Sequence, residues 1–198
     1  MYNIPRSNLF VKNDLRQLQE FVKLPFIIVR TFGPRALTLS ALAALPEVRH
    51  KGSTFRGIET LDDTPGIAEL AGLPLRTVKR HLQELESEGA IDNAGRHHKR
   101  TATRIINPDI LAAYESCEFA PLPRLALCDK LAWSEKTMLA YCCYKSFRFA
   151  GESAPAFINV AKVERELGLT RKSVGQALHN LASLGMIFKQ GEFVELLI

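Results

Sequence analysis

Apolar positions along the chain fall into short blocks with helical spacing, separated by turn residues. Thr38–Leu45 is almost wholly apolar and is closed by Pro46, which predicts a helix with a hard stop. Asp63-Thr64-Pro65 reads as a helix start, a capping side chain followed by an early proline. The helix it opens, Ile67–Ala71, spans little more than a turn or two before Gly72, which tolerates the positive φ of a tight inter-helix turn. Leu75, Val78, Leu82 and Leu85 then recur at three- and four-residue intervals, an amphipathic helix ended by Gly89. Ala90–Asp92 and Thr103–Ile106 read as strands, and 50–62 as a polar loop with a short strand.

Later in the chain Ser134 precedes an apolar helix, Lys136–Phe147, and Phe157-Ile158 has the composition of a short strand. Ala161–Leu167 and Arg171–Leu184 read as helices joined by Gly168-Leu169-Thr170. Met186–Lys189 and Glu192–Ile198 read as strands joined at Gln190-Gly191. Before the first block, Asn13-Asp14 can cap a short amphipathic helix carrying Leu15, Leu18, Phe21 and Val22.

The two sets of blocks are copies of one pattern. Ile67–Ile91 aligns without gaps on Val163–Ile187 at an offset of 96, with eight identities that include Gly72/Gly168, Val78/Val174, Leu82/Leu178 and Gly89/Gly185. Upstream, Phe21-Val-Lys-Leu24-Pro25 matches Phe119-Ala-Pro-Leu122-Pro123 at an offset of 98. The division this implies is an arm or short helix over 1–19, one module over 20–107 ended by Asn107-Pro108, a linker over 108–117, and a second module over 118–198.

Each module reads as three helices and a β-hairpin, two of the helices joined by a tight turn: the winged helix containing a helix-turn-helix. The expected fold is mainly α with small β-hairpin wings (α+β), two tandem winged-helix domains. The string running from Ile67-Ala68 through Gly72-Leu73, Val78, Leu82, Leu85 and Gly89 to Ile91 resembles the winged helix-turn-helix superfamily of bacterial and phage DNA-binding proteins. With its FxxLP lead-in, the module is similar to those of phage and plasmid replication proteins and related transcriptional regulators. The resemblance implies double-stranded DNA as partner, with the longer helix of each module in a major groove.

Composition narrows the alternatives. The 198 residues are 46% hydrophobic and 24% charged, ordinary for a folded protein. No apolar run approaches the roughly 20 residues of a membrane-spanning helix. The N-terminus lacks the order of a secretory signal, so a cytoplasmic, nucleoid-associated protein without a membrane partner is expected. Cys117, Cys128, Cys142 and Cys143 form no CxxC pair and read as packed thiols in a reducing compartment. The net charge of +5 is confined to one half: 1–107 carries 16 basic and 11 acidic residues, whereas 108–198 carries 10 of each.

That charge falls where the motif would meet DNA. With Val78, Leu82 and Leu85 turned inward, the first long helix offers Arg76, Thr77, Lys79, Arg80 and Gln83, side chains able to bond guanine edges or phosphates. Its wing carries Arg96, His97, His98, Lys99, Arg100 and Arg104 in nine positions without an acid. An ordinary solvated basic face and loop is the plainer alternative for both. Adjacent His97-His98 has no ligand spacing with any Cys, so no metal is expected. His81 reads as a packing residue. The second long helix offers Arg171, Lys172, Ser173, Gln176 and Asn180, and its wing only Lys189; Gly175 interrupts it, permitting close backbone approach to DNA or to the other module.

The chain contains no phosphate loop, H-E-x-x-H or G-x-S-x-G, and no catalytic residue or cofactor is expected. The leading expectation is sequence-specific double-stranded DNA binding by a covalent pseudo-dimer, in transcriptional regulation or replication initiation. The alternative is a tandem winged-helix scaffold for protein–protein interaction in a DNA-associated complex. The second module or the N-terminal arm could also serve a homodimer contact or a protein partner.

Overall fold

A computed structural model of the chain describes residues 21–44, 59–61, 64–96, 102–123, 126–127, 131–150 and 155–197. In order these form β1 Phe21–Pro25, α1 Phe26–Phe32, α2 Arg35–Ala43, β2 Glu59–Leu61, α3 Thr64–Ala71, α4 Leu75–Ser87, β3 Ile91–Arg96 and β4 Ala102–Ile106. Then follow α5 Pro108–Ser116, β5 Phe119–Pro123, α6 Trp133–Ala150, β6 Ala156–Phe157, α7 Val160–Leu167, α8 Arg171–Ser183, β7 Ile187–Gln190 and β8 Phe193–Leu196. The class is α+β, helices with three small antiparallel sheets. The arm over 1–19 lies outside the described residues.

The repeat in the sequence is a repeat in three dimensions. The run α2-β2-α3-α4-β3-β4 has the same element order as α6-β6-α7-α8-β7-β8. Their sheets are ordered β2-β4-β3 and β6-β8-β7, so the last strand of each unit is central in both. The shared glycines stand where the backbone turns left-handed: Gly72 (φ 58°) and Gly168 (φ 68°) between the paired helices, Gly89 (φ 68°) and Gly185 (φ 70°) after the longer one. In α4 the residues Val78, His81, Leu82 and Leu85 are buried, and in α8 Val174, Ala177, Leu178 and Leu181. These are the same positions of one amphipathic face. By contrast α2 is buried from Ala36 to Leu42 and α6 from Glu135 to Cys143, so these two helices are the centres of their units.

The two FxxLP segments pair with each other. β1 and β5 are antiparallel, with Phe21 opposite Pro123, Lys23 opposite Pro121 and Pro25 opposite Phe119. Lys23 and Pro121 are equivalent positions of the repeat, so this register relates the two strands by a local two-fold axis through that pair. It is the self-complementary geometry of a symmetric dimer, enclosed in one chain. Proline is tolerated here because a two-stranded ribbon leaves the outward N–H groups unused. The Phe21 and Phe119 rings stack at 6.0 Å, and the Lys23 ammonium lies 4.8 Å from the Phe119 ring.

Reciprocal contacts continue across the axis. Arg30 of α1 packs on Gly168 between α7 and α8, and Leu127, which follows β5, packs on Gly72 between α3 and α4. The Lys136 ammonium, 1% exposed, donates to the Gly72 carbonyl at 2.6 Å. Phe26 meets the Tyr141 and Tyr144 rings of α6 at 5.8 and 5.0 Å. One apolar cluster therefore runs through both units.

The segment expected as a linker, 108–117, is helical over Pro108–Ser116. Asn107-Pro108 is a start as well as a stop: the Asn107 carboxamide accepts from the Asp109 N–H at 2.9 Å, and Pro108 needs no donor in the first turn. Its Tyr114 hydroxyl reaches the Lys23 carbonyl at 3.5 Å, tying α5 to β1.

Candidate nucleic-acid interface

On α4 the outward face carries Arg76, Lys79, Arg80 and Gln83, all exposed, with Thr77 half-buried. Arg80 pairs with Glu84 at 3.6 Å, one turn along. An exposed pair at this spacing contributes only about 0.3–0.5 kcal/mol, so Arg80 can exchange it for a phosphate at small cost. Glu84 also lies 3.9 Å from Arg35, which bonds Glu88 and, at 3.2 Å, the Phe32 carbonyl. The acids at the far end of α4 are thereby drawn toward the start of α2 rather than along the basic face.

His81 is buried. Its Nδ1 is 2.9 Å from the Thr38 hydroxyl of α2, and burial holds its pKa below the ordinary value of 6.5. It is the packing residue its helix position implies.

The residues expected in the first wing divide. Arg96 ends β3 opposite Ala102, after a register shift between Asn93 and Arg96. His97, His98, Lys99 and Arg100 lie outside the described residues. Arg104 is not an exposed residue. It lies on the central strand β4, on the same face as buried Ile106, and is half-buried with its Nε sheltered from solvent. Strand alternation counted back from Ile106 requires this.

On α8, Arg171, Lys172 and Gln176 are exposed, whereas Ser173 and Asn180 are half-buried and engaged. The Ser173 N–H donates to Thr170 Oγ1 at 3.2 Å, and the two hydroxyls are 2.9 Å apart, so Ser173 belongs to the N-cap. Asn180 donates to Glu135 Oε1 at 2.6 Å and accepts from Gln176 Nε2 at 2.8 Å. Glu135 is held in turn, accepting from the Ala132 N–H at 2.7 Å at the start of α6. The Glu135–Asn180–Gln176 relay holds the amide of an exposed Gln176 by one N–H. Arg80 and Glu84 occupy the equivalent positions in the first unit, where Arg35 of α2 takes the place of Glu135. Lys189 is exposed on β7, and Gly175 has open space where a Cβ would be, so it makes no approach to the other unit.

Arg30 and Arg35 flank the corner between α1 and α2 beside Arg80 and were not singled out from the sequence. The signal available was the pair of arginines bracketing Thr31-Phe32-Gly33-Pro34. Cys142 and Cys143 are buried in α6, and burial pushes both thiols up, Cys143 to about 12. At neutral pH they are protonated, inert packing groups. Among the described residues no three His, Cys, Asp or Glu side chains are grouped to hold a metal ion, and no helix is long and apolar enough to cross a membrane. Compared with protein-family models, curated proteins and solved structures, the chain matches none.

Proposed function

We propose that the chain is a non-enzymatic, sequence-specific double-stranded DNA-binding protein whose two units are winged helix-turn-helix modules acting as a covalent pseudo-dimer. The observation that carries this reading is the β1–β5 register, which relates the lead-in strands of two units of identical topology by a local two-fold. Helix-turn-helix dimers use that symmetry to set two helices about one DNA turn apart. The exposed Arg76, Lys79 and Arg80 on α4 supply the charge. The α8 surface, with Arg171, Lys172 and the exposed Gln176, favours a second half-site of different sequence; an exposed amide suits adenine. Transcriptional regulation and replication initiation both follow from such binding.

Selection of bound fragments from random duplex DNA tests the proposal. A discrete motif and a steep loss of affinity with salt are expected. Changing Arg76, Lys79 and Arg80 together to Ala abolishes specific binding; survival of specificity in that variant overturns the assignment of α4.

One observation favours a protein contact for the second unit. Phe157, Phe188 and Phe193 are each about half exposed on one face of the β6-β8-β7 sheet, with the Phe157 and Phe193 rings 5.5 Å apart. Such exposed aromatics are typical of interfaces. Changing Phe188 and Phe193 to Ser distinguishes the roles: unchanged DNA affinity with altered solution mass supports a protein contact.

A further inference from the structure

Beside α4 lies an open depression of about 410 Å³ whose lining includes Arg30, Arg35, Arg80, His81 and Glu84. Three arginines line it. Arg35 is held by Glu88 and Glu84, and Arg80 by Glu84 alone. Arg30 is exposed and makes no ion pair with any described residue. His81 adds no charge at neutral pH, since it is buried with a lowered pKa. The lining thus carries more positive charge than its carboxylates balance, on side chains whose planar fork fits the oxygens of a phosphate.

Position narrows the ligand. Arg80 belongs both to this depression and to the outward face of α4, one turn beyond Arg76. Arg30, whose stem lies 3.5 Å from the Cβ position of Gly168, brings the depression to the seam with the turn between α7 and α8. A phosphate seated there would touch the basic face of one unit at its junction with the other.

We infer that this depression is a phosphate-binding site, and that on a duplex it takes a backbone phosphate flanking the groove that α4 enters. The second clause rests on the DNA-binding reading; the first does not. On DNA the site acts without regard to base sequence and locks the seam between the units.

The test uses the full chain and the variants Arg30→Gln and Arg30→Lys, with thermal unfolding as the folding control. In one arm duplex affinity is measured against salt. In the other, inorganic phosphate is titrated into DNA-free protein while the arginine Nε–H resonances are followed by NMR. Arg30→Gln is expected to lower the salt slope by about one unit without changing the preferred motif, and Arg30→Lys to restore most of it. A lowered slope with no response to inorganic phosphate identifies the duplex backbone as the source. A phosphate response at Arg30 and Arg80, lost in Arg30→Gln, with an unchanged DNA slope identifies a free phosphate group. No effect in either arm overturns the inference while leaving the DNA-binding reading standing. If wild type binds no duplex, that reading fails and the phosphate arm alone decides this one.

Discussion

Replacing Gly72 by Ala probes the seam between the units, because the backbone cost of positive φ meets inter-unit contacts there and two control glycines isolate the backbone cost. Gly72, Gly89 and Gly185 all have positive φ, at 58°, 68° and 70°. An alanine in that region costs roughly 1–2 kcal/mol. At Gly89 and Gly185 a Cβ meets nothing within 4 Å, so Gly89→Ala and Gly185→Ala report that backbone cost alone. At Gly72 the Cβ would stand 2.2 Å from the Leu127 carbonyl oxygen and 2.7 Å from its carbonyl carbon and Cα. These are backbone atoms that no rotamer change removes, and overpacking of this kind costs about 1–3 kcal/mol. The Gly72 carbonyl also receives the buried Lys136 ammonium at 2.6 Å, and disturbing a charged hydrogen bond adds about 1.5–3 kcal/mol. Gly72→Ala is therefore expected to cost about 3.5–8 kcal/mol, a large share of the stability of a small protein. Urea unfolding followed by Trp133 fluorescence and circular dichroism measures it. A Gly72→Ala cost within about 0.5 kcal/mol of the Gly89→Ala cost would refute the contact with Leu127 as a tight inter-unit joint.

Three further outcomes are expected. His81 has a folded pKa below its unfolded value of 6.5, so its contribution is full above 6.5 and is lost as pH falls toward the depressed value. His81→Gln, which keeps a partner for Thr38, is expected to flatten the loss of stability between about pH 7 and 5, as read by urea midpoints; an unchanged slope assigns that loss to other groups. Gly175→Ala is expected to raise stability by about 0.5–1 kcal/mol, since the residue is helical, exposed and unobstructed; a fall would show that the space is used. Asn180→Ala frees the Gln176 amide, so discrimination at one base position is expected to weaken about five- to tenfold while the salt slope stays constant; a reduced slope would make Asn180 a phosphate contact instead.

The repeat was legible because its markers are positions with a physical requirement. Two glycines per copy meet positive φ, and the Val-Leu-Leu stripe of each long helix faces a core. The pairing of the two FxxLP segments was not legible. Equal composition says that two segments do the same thing, and only the register in space says that they do it to each other. The sequence of α5 reads as a linker because Asn-Pro both ends one element and caps the next. Charge alone groups Arg104 with Arg96–Arg100, whereas two-residue alternation from Ile106 turns it inward. The amide of Asn180 suits a base edge on sequence grounds, but half-buried beside Glu135 it is already committed. Arg30 and Arg35 carry no signal in the sequence because neither belongs to the helix pair; they come beside Arg80 only through the packing of α2 on α4 and of α1 on α2.

The central claim is that two equivalent helices, related by the β1–β5 axis, meet one duplex. A hydroxyl-radical footprint of the full chain on its selected site tests it most directly. The account predicts two protected patches about one helical turn, roughly 10 base pairs, apart, with different sequences beneath them. Protection confined to half a turn, or a second patch that survives mutation of Arg171, Lys172 and Gln176 to Ala, would contradict it.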